Sequence, residues 1–206
     1  MLTLLNSFMH LIQSRNVIIY NEFSLQFELA FYLRQNGYNV RFERNVCAYN
    51  TSSSAHFIKK EIDLVVFQGQ NEMNADKIAI ELKFPRNGQV PEQMFSFIKD
   101  IKFMEDVANI PGFSETYVLC LVDDPNFYMQ RPIQSGIYDY FRPSINIPGN
   151  FPIYKPTGYK PTGKSNISIT LSKTYTDNWR ILAANCLGTN VGSQNNNIRF
   201  YILKCN

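Results

Sequence analysis

The sequence predicts an α/β fold in which a mixed central sheet is flanked by helices and followed by a β-rich extension. Apolar residues recur at helical spacing in 22–36 and 92–109, and strand-length apolar or alternating runs lie around these segments. After Asp124 the composition changes, because Pro, Gly, Tyr and Asn become frequent. We therefore divide the chain into a core, residues 1–124, and a basic C-terminal extension, residues 125–206, packed on that core.

The elements of the core follow from local signals. Asn21 is a typical helix N-cap and Gly37 a typical C-cap, so together they bound the first long helix. The strand–helix–strand step later in the core predicts two parallel strands in one sheet. The predicted elements are, in order, an amphipathic helix in 1–15, a helix in 22–36, strands at 39–49, 61–67 and 78–84, a helix at 92–109 and a strand at 115–122.

The extension contains a tandem pentapeptide, YKPTGYKPTG, at 154–163. Its Pro and Gly residues are typical of turns, so we predict a loop there. Three later segments, ISITLSKTY, NWRILAANC and IRFYILKC, are rich in β-branched and aromatic residues. They predict antiparallel strands packed on or beside the first sheet.

Composition restricts the class of protein. The chain has 206 residues, 45% hydrophobic and 18% charged, as in ordinary globular domains. It has no apolar run of 18 residues and no signal-peptide pattern at its start, so we expect no membrane span and no export. The four cysteines form no CxxC pair and the two histidines stand alone, which argues against a zinc site and favours reduced thiols in the cytoplasm.

The strongest functional signal is the strand IAIELKF at 78–84. Side chains alternate between the two faces of a strand, so Glu81 and Lys83 share one face. Such a pair on its own is also consistent with a surface ion pair worth about 0–1 kcal/mol. The preceding strand, EIDLVVF, carries Asp63 among apolar residues, where an unpartnered carboxylate is costly to bury. A hairpin pairing of the two strands brings Asp63 near Glu81.

The two long helices add polar residues directed toward the sheet. At 100° per residue, Glu22 and Gln26 lie with the apolar face of the first helix. Gln93 begins the inward face of the second helix, and Asp100 lies on its border. Two other roles stay open here, since Glu22 also suits the positive end of the helix dipole and Gln93 also suits a helix start.

This pattern resembles the PD-(D/E)xK nuclease superfamily, which includes many restriction endonucleases and archaeal Holliday-junction resolvases. The motif here is IDLVV, with Asp63, and IELK, with Glu81 and Lys83, and the resemblance covers roughly residues 21–123. Ile62 stands where the family name has Pro. The resemblance implies a restriction-endonuclease-like core, αβββαβ, and a helical Glu22 in the site, as in resolvase-like members.

The resemblance also implies a chemistry, the Mg²⁺- or Mn²⁺-dependent hydrolysis of phosphodiester bonds by a DNA endonuclease of restriction, repair or defence type. Asp63 and Glu81 are then the metal ligands, because Mg²⁺ prefers oxygen ligands. Lys83 positions a water or stabilises developing charge at the phosphate. Gln26 and Gln93 are candidates for support of the site.

The charge distribution points to the extension as a nucleic-acid contact. Residues 131–206 hold nine of the 20 basic residues and two of the 17 acidic ones, a net charge of +7 that leaves −4 for residues 1–130. Lys155, Lys160 and Lys164 lie in or beside the pentapeptide repeat and are the candidate phosphate contacts.

Two other functions stay open on the sequence alone. One is a nucleic-acid-binding module on the same fold that has lost catalysis, and the other is a protein-interaction domain that uses 154–163. The sequence also leaves open the choice between DNA and RNA, and the oligomeric state, a homodimer included.

Overall fold

The protein is described by a computed structural model over residues 1–49, 57–86, 88–132, 135–157, 160–182 and 198–206, without the side chains of 157 and 160–165. The described helices are α1 (Leu2–Gln13), α2 (Glu22–Gln35) and α3 (Val90–Ala108). The described strands are β1 (Asn39–Asn45), β2 (Glu61–Phe67), β3 (Lys77–Lys83), β4 (Phe113–Val122), β5 (Ile145–Ile147), β6 (Pro152–Thr157), β7 (Lys160–Thr170), β8 (Tyr175–Asp177), β9 (Arg180–Ile181) and β10 (Arg199–Lys204).

Six of these strands form one mixed sheet in the order β1-β2-β3-β4-β10-β9. Strands β3 and β4, which α3 connects, run parallel, and the other neighbouring pairs are antiparallel. The predicted mixed α/β class and the parallel pairing of the segments at 78–84 and 115–122 are confirmed. Two-stranded sheets, β5 with β8 and β6 with β7, lie outside the main sheet.

The main sheet is buried on both faces. Helix α3 packs on one face, where Phe97 and Ile101 join Val118 and Cys120 in one apolar cluster. Helices α1 and α2 cover the other face, and their apolar side chains cluster with Ile80 and Leu82. Alternate residues of β3 therefore serve two cores, which explains why this strand is apolar on both sides. The face under α3 also receives Glu81 and Lys83.

Helix α2 begins at the predicted cap. Asn21 Oδ1 accepts a hydrogen bond from the Ser24 N–H at 2.8 Å, and Ser24 Oγ accepts one from the Asn21 N–H at 3.0 Å. This reciprocal capping sets the first residue of the helix and hence the direction of every side chain on it. Gln26 consequently points into the protein and is buried.

Two predicted elements are wrong in detail. The strand predicted at 39–49 ends at Asn45, whose side chain accepts a hydrogen bond from the Cys47 N–H at 2.9 Å and starts a 3₁₀ turn. The pentapeptide repeat, predicted as a loop, lies largely in β6 and β7, and residues 158–159 are outside the described residues. Prolines are tolerated in this two-stranded ribbon because its strands have free edges, and the pairing register shifts at Pro156.

The C-terminal strands are shorter than predicted or lie partly outside the described chain. The segment ISITLSKTY is divided between β7 and β8, and NWRILAANC contributes the two-residue β9, with 183–186 outside the described residues. The last segment forms β10 and pairs with β4. The central sheet therefore continues from the core into the extension. Among the described residues, no helix is both long and apolar enough to cross a membrane.

A buried carboxylate also ties the extension to α3. Glu105 accepts hydrogen bonds from the Ser172 N–H at 2.9 Å, the Ser172 hydroxyl at 2.6 Å and the Tyr175 hydroxyl at 2.9 Å. These donors lie between β7 and β8 and on β8 itself. Glu105 of α3 thus accepts hydrogen bonds from all three of these donors of the extension.

We predict that Glu105→Ala lowers the free energy of unfolding by about 3 kcal/mol, because it leaves several buried donors without an acceptor. Chemical denaturation monitored by circular dichroism measures this loss. Glu92→Ala is the matched control, since Glu92 is an exposed acid on the same helix and its removal changes stability by less than about 0.5 kcal/mol. Equal stabilities of the two variants would contradict the anchoring role.

Candidate active site

The candidate site lies where β2 and β3 separate, on the sheet face that α3 covers. The antiparallel ladder of these strands ends at the pair Leu64 and Ile80. Beyond that pair, the Asp63 side chain accepts a hydrogen bond from the Leu82 N–H at 2.7 Å. Asp63 therefore replaces a backbone partner of β3 and brings its carboxylate close enough to that of Glu81 to raise the pKa of Glu81.

Glu81 is the most buried acid of the cluster, with 0% of its surface exposed. Its Oε1 atom is 2.6 Å from Lys59 Nζ, and its Oε2 atom is buried without a hydrogen-bond partner among the described residues. Burial, followed by the charges of Asp63 and Asp100, raises the pKa of Glu81 well above its usual value. Ionisation of Glu81 therefore lowers the stability of the folded protein.

Two residues of the cluster were missed by the sequence prediction of the site. Lys59 bridges Glu81 and Asp100, with its Nζ atom 3.2 Å from Asp100 Oδ1. Asp100 is 1% exposed on α3, and its Oδ2 atom lies 3.7 Å from Lys83 Nζ. The helical angle of Asp100, on the border of the inward face, was a usable signal. Lys59 had none, because it lies in irregular chain before β2 and reaches the site only through the tertiary fold.

Glu22 reaches the same cluster from the opposite side of the sheet. Its Oε2 atom accepts a hydrogen bond from the Phe84 N–H at 2.9 Å, just beyond the end of β3. Its Oε1 atom lies 3.8 Å from Lys83 Nζ. The first residue of α2 therefore stands at the open end of the strand, where Lys83 can contact both Glu22 and Asp100.

The glutamines predicted to support the site lie in different surroundings. Gln26 donates hydrogen bonds from Nε2 to Glu43 Oε1 at 2.7 Å and to the Asp63 carbonyl oxygen at 3.0 Å, so it holds the backbone that carries Asp63. Gln93 lies in the first turn of α3 beside Gly88, where an added Cβ would come within 2.6 Å of its Nε2 atom. The backbone of Gly88, with φ of +107°, favours glycine in this loop between β3 and α3.

The structure describes the side chain of one of the three lysines predicted as phosphate contacts. Lys155 is partly buried on β6. The side chains of Lys160 and Lys164, on β7, lie outside the described residues. Their role stays a prediction.

The two lysines of the cluster keep their protons. Burial lowers the pKa of each, but the carboxylates outweigh it and raise the pKa of Lys59, through Asp100, Glu81 and Asp63, and that of Lys83, through Asp100 and Glu22. Both side chains are therefore cations at neutral pH. The cluster of Glu22, Asp63, Glu81 and Asp100 with these two lysines has an excess of acids, which favours binding of a further cation.

No family model matches the chain, and comparison with curated proteins and with solved structures gives no match either. The function is therefore inferred from the geometry and chemistry of the site itself.

We predict that Glu81→Gln stabilises the protein in a pH-dependent manner. Since the pKa of Glu81 is raised in the folded state, ionisation costs nothing below about pH 4 and destabilises the fold increasingly as the pH rises through the folded-state pKa. The variant should gain on the order of 1 kcal/mol in free energy of unfolding at pH 8, because the buried charge is gone.

Denaturant unfolding at pH 4 and at pH 8 measures this gain, which should shrink toward pH 4. The matched control is Glu61→Gln, which changes an exposed acid at the start of β2 and should leave stability unaltered at both pH values. A Glu81→Gln variant less stable than the parent at pH 8 would show that the ionised carboxylate is a stabilising partner of Lys59.

Proposed function

We propose that the protein is a metal-dependent nuclease that hydrolyses phosphodiester bonds in nucleic acid, most simply a DNA endonuclease built on a restriction-endonuclease-like core. One observation carries the proposal: Asp63, Glu81 and Lys83 converge on one sheet face, as two adjacent carboxylates with a protonated lysine beside them. An ion pair between Glu81 and a lysine would not need Asp63 beside it. A second carboxylate next to buried Glu81 lowers the stability of the fold, so its presence indicates a function.

The donor set fits a hard divalent cation. The Asp63 carboxylate lies near that of Glu81 and helps to raise the pKa of Glu81, and Glu81 Oε2 has no hydrogen-bond partner in the described part of the chain. Within those described residues, no three His, Cys, Asp or Glu side chains are grouped to hold a metal. Two carboxylates are nevertheless sufficient for Mg²⁺, which completes its shell with waters and substrate phosphates. When bound there, Mg²⁺ or Mn²⁺ would polarise the phosphoryl oxygen and acidify a bound water.

Lys83 acts as a cation in this proposal, not as a proton acceptor. Its raised pKa keeps the ammonium protonated, so it stabilises the negative charge that develops on the phosphate or orients the attacking water. Asp100 and Glu22, 3.7 and 3.8 Å from Lys83 Nζ, hold that ammonium in place. They are positioning residues, since their carboxylates act through Lys83.

Lys59 compensates the buried acids. Its Nζ atom lies 2.6 Å from Glu81 Oε1 and 3.2 Å from Asp100 Oδ1, and 27% of its side chain is exposed. Without this cation, two carboxylates that are almost completely inaccessible to water would be adjacent with little compensation. Lys59 thus allows Glu81 to be ionised, which is the form that can ligate a metal.

We predict that Asp63→Ala, Glu81→Ala and Lys83→Ala each reduce cleavage by at least about a hundredfold, because each removes a ligand or a stabilising charge from the reacting phosphate. Cleavage of supercoiled plasmid, four-way junction and single-stranded DNA with Mg²⁺ or Mn²⁺ measures this loss. Circular dichroism should show that the variants remain folded, and Glu22→Gln should lose less activity than the other three.

Lys60→Ala and Glu61→Ala are matched controls, since both residues are exposed near the site in sequence and should retain parental activity. Parental cleavage by purified Asp63→Ala would overturn the assignment. Metal-independent binding without cleavage, in the parent as in the variants, would instead favour a nucleic-acid-binding module.

We propose that the basic extension binds the phosphate backbone of the nucleic acid. The acidic core repels a polyanion, so attraction has to come from elsewhere on the surface, and residues 131–206 carry the +7 charge. Lys155, Lys160 and Lys164 are close together in the β6–β7 ribbon by sequence and register, with Lys164 opposite Pro156 and Lys160 opposite Thr157.

We predict that replacing these three lysines by Ala flattens the slope of log K against log salt by up to about 2–3 units, since each phosphate contact to duplex DNA contributes about −0.9. Binding of the Asp63→Ala variant to duplexes of several sequences over a salt series measures it, and the loss should be similar for all sequences. An unchanged slope would exclude the ribbon from the binding surface.

A further inference from the structure

A cavity of about 500 Å³ lies on the same face of the sheet as Lys83, two strands away. Lys83 is opposite Cys120 on β4, and Cys120 is opposite Tyr201 on β10, so these three residues form one row across the sheet. Arg199 is opposite Val122, two residues further along β4, and lines the cavity. Strand spacings of about 4.8 Å and a rise of about 3.3 Å per residue place the Cα atoms of Arg199 and Lys83 roughly 12 Å apart.

The cavity combines aromatic rings with a cation. Its floor is formed by Tyr128 and Trp179, both buried, whose ring centroids are 6.2 Å apart. The Arg199 guanidinium lies over the Tyr128 ring, 4.9 Å from its centroid. Arg199 Nε is buried without a hydrogen-bond partner among the described residues. Met129, 51% exposed, forms an apolar wall.

The floor is held rigidly. Trp179 Nε1 donates a hydrogen bond to the Phe141 carbonyl oxygen at 2.7 Å, and its ring packs against Tyr201 with centroids 5.0 Å apart. Tyr201 in turn lies in the row that contains Lys83. The cavity is therefore connected to the candidate active site by a directly paired part of the sheet.

We propose that this cavity binds an unpaired nucleobase of the strand whose phosphodiester lies at Glu81 and Lys83. The inference rests on the proposed function, because it specifies the class of nucleic acid on which the proposed nuclease would act. A base offers a flat apolar face that stacks on the outer side of the Arg199 guanidinium, whose inner side covers the buried Tyr128 ring. A paired base inside a duplex cannot present its face to a recessed floor, so the preferred substrate has single-stranded or locally unpaired nucleotides next to the cleaved bond.

The spacing suits one continuous strand. A separation of roughly 12 Å between Arg199 and Lys83 is the reach of a few nucleotides, since each nucleotide of a stacked strand advances about 3.4 Å along the helix axis. Arg86, paired with Asp123 at 2.7 Å, lies just beyond the ends of β3 and β4 at the same edge of the sheet. It provides a further cation beside that path.

The test uses the fluorescence of Trp179, which is the only tryptophan of the chain. The Asp63→Ala variant is titrated with three probes: a single-stranded DNA of about ten nucleotides, an abasic deoxyribose-phosphate oligomer of equal length, and the corresponding duplex. We expect the single strand to change Trp179 fluorescence and to bind about five- to a hundredfold more tightly than the abasic oligomer, as loss of one stacked base implies.

In the same background, Arg199→Gln and Arg199→Lys should each remove this preference for bases. Arg199→Lys keeps the charge but not the planar group, so it should retain affinity for the abasic oligomer. Lys204→Gln is the matched control, because it removes one charge from the opposite, exposed end of the same strand. It should keep the full preference.

Equal binding of the single strand and the abasic oligomer would overturn the proposal, as would an equal loss for all probes in Arg199→Lys or tighter binding of the duplex. The result is separable from the proposed function. Base-dependent binding without metal-dependent cleavage by the unmodified protein would refute the nuclease and keep the base cavity, whereas cleavage without base-dependent binding would do the reverse.

Discussion

The structure of the site depends on one constraint, the burial of an acidic side chain next to another. Glu81 is inaccessible to water and the charge of Asp63 raises its pKa further, so its charge is tolerated only with compensation nearby. Lys59 supplies that compensation from irregular chain before β2. The hydrogen bond from Leu82 N–H to Asp63 holds the two strands at the separation that this arrangement needs.

The remaining architecture brings charges from separate elements to that point. The parallel step from β3 to β4 requires a crossover, and the crossover helix α3 carries Asp100 onto the same sheet face. The capped start of α2 places Glu22 at the end of β3, from the other face. Lys83 is held between these two acids, and its alternation with Glu81 along the strand gives both side chains the same direction.

This cluster of acids lowers the stability of the folded protein, and clusters of this kind are common at catalytic and metal-binding sites. Raised pKa values at Glu81 and Asp100, both caused first by burial, mean that folding opposes their ionisation. Groups with strongly perturbed pKa values are enriched at functional sites. Reactions there use ionisable groups in buried positions, where packing alone would favour apolar residues. The surrounding cores on both faces of the sheet offset this cost.

The sequence by itself determined the class of the fold and the strand that carries the candidate site, because local periodicity and capping decide both. Asn21, the alternation at 78–84 and the amphipathic helix before β4 were each readable, and Glu22, Asp63, Glu81 and Lys83 lie together in the structure. Only the tertiary structure decided the partners of these residues. Lys59 reaches Glu81 from irregular chain before β2, and the row from Lys83 to Tyr201 depends on the pairing of β3, β4 and β10. Both join segments that are distant in sequence, so local patterns did not specify these contacts. The pentapeptide repeat became strand for the same reason, since pairing between β6 and β7 outweighed the turn preference of Pro and Gly.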